Sequence, residues 1–316
     1  MNFLVNEQRW APELFAGSTA QQVGDLFDGD LLAPTTRSRR RTTAPPGRNR
    51  HRPGGVSVGS SPQRSTVNMT NGRIGMSDIA EAVDLREITE RPDWEAVERQ
   101  LDEEGFAATG PLLSAEQCRE VVEIFDDDTR YRSTVTMARH AFGEGRYRYF
   151  DDPLPELVQQ LREGLYPPLA AIANRWADRL GERAFPATLP ALLEECAKLG
   201  QHKPTPLVLR YGPGGYNNLH QDVYGELTFP LQFLIMLSQP DEDFTGGESV
   251  FVEQRPRQQS RPMVARPRQG EAIIFPVRHR PKQGSRGHYR VQMRHGVSAV
   301  HAGERHVLGI IFHNAR

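Results

Sequence analysis

The chain has 316 residues, enough for a core of ordinary size, and 39 Lys+Arg against 40 Asp+Glu give a net charge of -1. That balance excludes a generally basic nucleic-acid-coating protein and a polyacidic tail protein, and two cysteines exclude a disulfide framework or a four-cysteine zinc site. The charge is uneven, because residues 1–75 carry 10 Arg and 5 acids (net +5), leaving 29 basic and 35 acidic residues (net -6) in 76–316.

Glu7, Arg9 and Glu13 interrupt the apolar run that a secretory signal needs, and no stretch approaches the roughly 18 apolar residues of a membrane span. A cytoplasmic location with no membrane partner is therefore expected. Residues 34–75 are crowded with Arg, Pro, Gly, Ser and Thr, and the whole of 1–75 is expected to be a disordered segment. Its two readings are a basic arm for phosphates and a solvated extension ahead of a start at Met76.

Residues 76–205 read as a helical cover with an embedded strand or hairpin. Trp94, Val97 and Leu101 recur at helical spacing, and Ser114-Ala-Glu-Gln117 has the form of a capping box opening a helix through Phe125. Residues 133–150, rich in Arg, Tyr, Thr and Val, read as extended. Residues 157–180 read as one or two helices broken at Pro167-Pro168. Cys118 and Cys196 fall on amphipathic helical stretches, as buried core thiols.

After Pro206 the rhythm changes to short β-branched and aromatic runs between glycine-rich turns. The predicted strands are 207–211, 227–237, 248–253, 272–276, 288–294 and 306–312, so 206–316 is expected to close into an antiparallel barrel or sandwich.

Within this region lie His220-Gln221-Asp222 and, 75 residues on, His295. Residues two apart on an extended chain face the same side, so His220 and Asp222 can share a metal, and His295 from another strand completes a two-nitrogen, one-carboxylate set. Such a set suits Fe(II) and leaves coordination positions open. The alternative is a hydrogen-bonded surface pair at a strand end.

The stretch from Leu207 through Tyr211, the Gly212-Pro-Gly-Gly215 turn and His220-Gln-Asp222 resembles the alkylation-repair branch of the Fe(II)- and 2-oxoglutarate-dependent dioxygenases. Phe244-Thr-Gly-Gly-Glu248, Gly270-Glu-Ala-Ile-Ile-Phe275 and the interval from His295 to Arg305 are similar to the prolyl-hydroxylase branch. From Trp94 onward, including Met137–His140 and Tyr147–Phe150, the chain also resembles a bacterial group labelled as oxygenases of damaged nucleic acid.

The resemblance implies an α+β chain: a double-stranded β-helix (jelly roll, cupin-like) over 206–316 with flanking N-terminal helices. It implies His220, Asp222 and His295 as catalytic iron ligands, Arg305 pairing with the far carboxylate of 2-oxoglutarate, and Tyr211 donating to the same cosubstrate, with O2 as oxidant. For Tyr211 a plain core aromatic is the other reading. The pattern departs from the alkylation-repair branch at Leu209, where that branch has a polar amide, and in lacking its second late arginine. The implied reaction is hydroxylation or oxidative demethylation with release of succinate and CO2. Alkylated nucleic acid is one substrate reading, a protein side chain, as in prolyl hydroxylation, another, and a small molecule a third; the reading from a different class is a non-catalytic cupin-like binding module. Arg255–Arg268 and Arg278–Arg290 read as either a positive rim for phosphates or solvated loops. His140 is a weak candidate for substrate contact. His301, His306 and His313 read as surface or packing residues, and His279 and His288 as solvated.

Overall fold

A computed structural model describes residues 90–316. The segment 1–75, with the disorder expected of it, lies outside the described residues.

Helix α1 (Trp94–Glu103) opens on Asp93, whose side chain accepts from the Ala96 N–H, and buries Val97 and Leu101. Strand β1 (Ala107–Pro111) leads to α2 (Ala115–Glu123), where Ser114 and Gln117 form the reciprocal capping box expected of them and Cys118 is buried. Then come β2 (Tyr131–Thr136), a 3-10 turn at Met137–His140, β3 (Gly143–Glu144) and β4 (Arg146–Phe150). Helix α3 (Glu156–Leu180) follows, and α4 (Leu189–Lys198) buries Cys196.

Helix α3 corrects the expected break, because it runs without interruption through Pro167 and Pro168. Leu161, Leu165, Leu169 and Ala173 continue at i+4 spacing across the prolines and are buried in the main core. That burial outweighs the local penalty of about 3 kcal/mol for an interior proline.

The remaining strands are β5 (Leu207–Tyr211), β6 (Tyr216–His220), β7 (Leu231–Met236), β8 (Phe244–Gly246), β9 (Ser249–Gln254), β10 (Arg261–Ala265), β11 (Glu271–Pro276), β12 (His279–Gly284), β13 (Gly287–Val297), β14 (Val300–Gly303) and β15 (Arg305–Ile310). One sheet has the order β1-β11-β7-β15-β5-β4-β2 and the other β10-β9-β13-β6-β3, with β12 on β13. Apart from the β9–β10 hairpin, the chain alternates between the four-strand sets β5-β15-β7-β11 and β6-β13-β9-β10, which is the winding of a double-stranded β-helix. Strands β4 and β2 widen the first sheet beyond β5.

Two strands fall where loops were expected. β10 and β12 are rich in Arg and Pro, yet β10 turns Met263 and Ala265 inward and β12 buries Arg280 in an ion pair with Glu253. The strand expected from 227 starts at Leu231, because the Phe229 N–H is taken by His313 instead of a neighbouring strand.

The alternation of the first sheet decides what faces what. Val208, Leu308, Ile310, Ile235 and Ile274 pack outward on the cluster built with α3. Tyr147, Tyr149, Leu207, Tyr211, Met236 and Val307 form a separate inner cluster. The opposite wall carries Phe251 and Met293. Between these inner faces lies a cavity of about 360 Å³.

Candidate metal centre

Strand β6 lies antiparallel to β13 with His220 directly opposite His295, and the two imidazole centroids are 4.2 Å apart. Strand β6 ends at His220, so Asp222 is not on the strand as expected but in the following loop. The loop still returns it, because the intervening Gln221 is pinned to β13: its amide donates to the backbone carbonyls of Arg278 and Met293, both at 2.8 Å. With Gln221 held on that side, Asp222 turns inward and is buried.

Asp222 Oδ2 lies 3.0 Å from His295 Nε2, and Oδ1 lies 3.6 Å from His220 Nε2. One donor atom from each of the three residues falls within 4.8 Å of the others, a grouping that can hold a metal ion. His220 Nδ1 is 2.8 Å from the Asn218 carbonyl, and only a protonated Nδ1 can donate there, which leaves Nε2 with its lone pair free toward Asp222. Burial, with His295 beside it, pushes His220 below its ordinary pKa and favours that neutral form. Burial alone would raise the Asp222 pKa, but His295, His220 and the Tyr224 hydrogen bond hold it well below the usual carboxylate range.

Arg305 opens β15 directly opposite Tyr211 on β5. Its guanidinium is fully buried, 3.1 Å from the Ser249 hydroxyl, with Nε unpartnered and no carboxylate paired to it among the described residues. It lies 5.5 Å from the Tyr211 ring centroid and 6.0 Å from that of Phe244. Burial lowers its pKa to about 10, so it stays charged at neutral pH. Gly247 explains the double glycine before Glu248: its φ is +63°, and a Cβ there would stand 2.9 Å from Arg305 Cδ. Tyr211 is fully buried, its phenol pushed up to about 12 by burial, and it accepts from Asn217 at 3.4 Å. The metal-binding group, Arg305, Ser249 and Tyr211 all line the same cavity.

Leu209 also lines the cavity, and the amide facing Tyr211 comes from Asn217 on the other sheet. Sequence reasoning missed Asn217, Ser249, Tyr224 and Gln232. The Tyr224 hydroxyl donates to Asp222 Oδ1 at 2.6 Å and the Gln232 amide to Oδ2 at 2.9 Å. A signal existed for Gln232, a lone amide in the apolar run Leu231–Met236; Tyr224 carried none beyond its nearness to Asp222.

About half of the basic residues in the arginine-rich stretches are paired with carboxylates. Arg255 pairs with Glu253, Arg261 with Glu104, Arg266 with Asp241 and Arg290 with Glu182. His140 stacks on Phe142, centroids 5.4 Å apart, and Ala141 and Phe142 line the cavity while His140 does not. His306 and His313 are buried packing residues, His301 is exposed, and His279, expected to be solvated, is part-buried 3.4 Å from Glu182. No described helix is long and apolar enough to cross a membrane.

A family described as "Oxygenase, catalysing oxidative methylation of damaged DNA" matches residues 145–315. Two Mycobacterium tuberculosis proteins, "Uncharacterized protein MT2286" (strain CDC 1551 / Oshkosh) and "Uncharacterized protein Rv2227" (strain ATCC 25618 / H37Rv), are each 46% identical over 167 residues, covering 52% of this chain and 72% of theirs. Among solved structures, a Pseudomonas putida prolyl-4-hydroxylase is 18% identical with a TM-score of 0.41, covering 71% of this chain and 99% of its own. A Burkholderia pseudomallei oxidoreductase of the 2OG-Fe(II) oxygenase family is 19% identical with a TM-score of 0.41, covering 71% of this chain and 93% of its own. The family match spans more than half of the sequence and takes in His220, Asp222, His295, Arg305 and Tyr211: the chain belongs to this family of oxygenases.

Proposed function

We propose that this chain is an Fe(II)- and 2-oxoglutarate-dependent dioxygenase that hydroxylates or oxidatively demethylates an alkylated nucleobase, releasing succinate and CO2. The observation that carries the reading is one cavity holding both a two-histidine, one-carboxylate group and a buried arginine that no carboxylate pairs with among the described residues. The donor set fits ferrous iron, since two neutral imidazole nitrogens and one carboxylate leave positions for a bidentate cosubstrate and O2. Arg305 fits the far carboxylate of 2-oxoglutarate, because a buried guanidinium with an unpartnered Nε is stabilised by a planar anion that takes two parallel hydrogen bonds.

Iron with 2-oxoglutarate and O2 supplies the oxidising power for C–H hydroxylation, and an N-methyl carbon so hydroxylated is lost as formaldehyde. The protein supplies position. His220 is fixed in one tautomer by Asn218, Asp222 is held in from the loop by Gln221, and Arg305 with Ser249 sets the cosubstrate's depth. Tyr211, a neutral phenol at working pH, donates to the cosubstrate. Tyr147, Tyr149, Leu209 and Phe275 line the cavity and keep bulk water from the reacting atoms.

The family description supports a nucleic-acid substrate, and Phe142 and Leu219 offer apolar contact for an unstacked base at the cavity wall. Convergence of all three donor residues counts against a binding module without turnover. The same proposal places the enzyme in the cytoplasm, supported by Cys118 and Cys196, both buried free thiols.

The test measures succinate formed from 2-oxoglutarate with Fe(II), without substrate and with methylated oligonucleotides or peptides. Turnover stimulated by a methylated oligonucleotide, and reduced to background in His220→Ala, is expected. Undiminished succinate formation in His220→Ala contradicts the assignment, and stimulation by peptides alone overturns the nucleic-acid reading.

A further inference from the structure

We propose that Tyr224 and Gln232 are positioning residues that clamp the Asp222 carboxylate in the orientation that faces the metal; the inference rests on the reading of Asp222 as a metal ligand. The two donors approach different oxygens: the Tyr224 hydroxyl holds Oδ1 at 2.6 Å and the Gln232 amide holds Oδ2 at 2.9 Å. Each oxygen keeps a second lone pair for the metal, so the two bonds do not compete with ligation; together they fix the plane and rotamer of the carboxylate toward His220 and His295.

The clamp is anchored at two places on the first sheet. Gln232 sits on β7, buried on the inner face of the first sheet next to Phe275 of β11. Tyr224 continues the loop after Asp222 and is hydrogen-bonded to Tyr149 of β4, whose ring lies under the Arg132 guanidinium at 4.5 Å. Tyr149–Tyr224–Asp222–Gln232 thus spans from β4 to β7 across the cavity wall. Because β4 lies outside the four-strand core of the first sheet, the widening of that sheet serves the metal group.

Merely satisfying a buried carboxylate predicts a different outcome from clamping it. In the first case, loss of a donor destabilises the metal-free protein and leaves its metal affinity unchanged. In the second, affinity falls, by about 10- to 100-fold on the experience of outer-shell partners at other metal sites.

The experiment titrates the full chain and its Tyr224→Phe and Gln232→Leu variants with Co(II) against a chelator, recording affinity and the visible absorption of the complex. Tyr131→Phe removes another buried phenol hydroxyl, one without a hydrogen-bond partner and packed on Phe150, and serves as the control. Expected are affinity losses of about 10-fold or more with altered absorption in both clamp variants, and wild-type behaviour in the control. Unchanged Co(II) affinity and absorption in both clamp variants overturns the clamp while leaving the metal site standing; absence of Co(II) binding by the wild type overturns the metal reading and the clamp with it. Unfolding of each variant in chelator separates lost metal binding from lost structure, and Gln232→Leu, an apolar side chain of similar volume in an apolar wall, keeps the test open if Tyr224→Phe is unstable.

Discussion

Arg305 sets two expectations of opposite sign. A buried guanidinium with one hydroxyl partner at 3.1 Å and an unpartnered Nε costs folding free energy, which a bound dicarboxylate would return. Arg305→Met should therefore unfold at a higher temperature than the wild type without 2-oxoglutarate, by about 1–4 kcal/mol of added stability. The same variant should lose the stabilisation that 2-oxoglutarate gives the wild type and raise the cosubstrate KM by roughly 100-fold, as befits a lost charge-assisted contact. Thermal unfolding with and without 2-oxoglutarate checks both signs. A destabilised Arg305→Met that still responds to 2-oxoglutarate contradicts the assigned role.

Among the elements, the turn before β9 and helix α3 carry the clearest consequences. Gly247→Ala forces a side chain onto a φ of +63° and a Cβ to 2.9 Å from Arg305 Cδ. The backbone cost is about 1–2 kcal/mol, and the displacement of Arg305 should appear as a raised 2-oxoglutarate KM with Co(II) affinity intact. Leu165→Ala in α3 should cost about 2–5 kcal/mol in denaturant unfolding, since Leu165 lies in the core cluster that carries the helix past its prolines. Strands were legible as short β-branched and aromatic runs between turn residues, as in β5, β9, β11 and β13, the last of which carries His295; β6, which carries His220, is polar and was not among the expected strands. β10 and β12 were not, because their inward residues include Pro281-flanked Arg280, whose burial depends on Glu253 from a distant strand. The same limit applies within the site. His220, Asp222 and His295 stood out by residue type and order, and Arg305 by its interval from His295. Tyr224, Asn217 and Ser249 gain meaning only from what the fold sets opposite them, which no spacing along the chain encodes.

For the whole molecule, buried histidines tie stability to pH. Burial lowers the His313 pKa from its ordinary 6.5 to about 3, and its Nδ1 accepts from the Phe229 N–H, which requires the neutral ring. Between those values the unfolded chain takes up a proton that the folded chain does not, so this contribution is complete above pH 6.5 and is lost as pH falls, at up to about 1.4 kcal/mol per pH unit. His306, also lowered by burial, acts in the same direction. Denaturant unfolding from pH 7 to 5 should show stability falling with pH, and a shallower fall in His313→Gln; equal slopes would contradict the account. The central claim concerns the cavity between the two sheets, where His220, Asp222 and His295 meet and which Arg305 also lines. Its most direct test is an anaerobic titration of the full chain with Fe(II) and 2-oxoglutarate, followed by visible absorption. The account predicts a metal-to-ligand charge-transfer band that saturates with one iron per chain, is lost in His295→Ala and is weakened in Arg305→Met. No band in the wild type, or an undiminished band in His295→Ala, would contradict it.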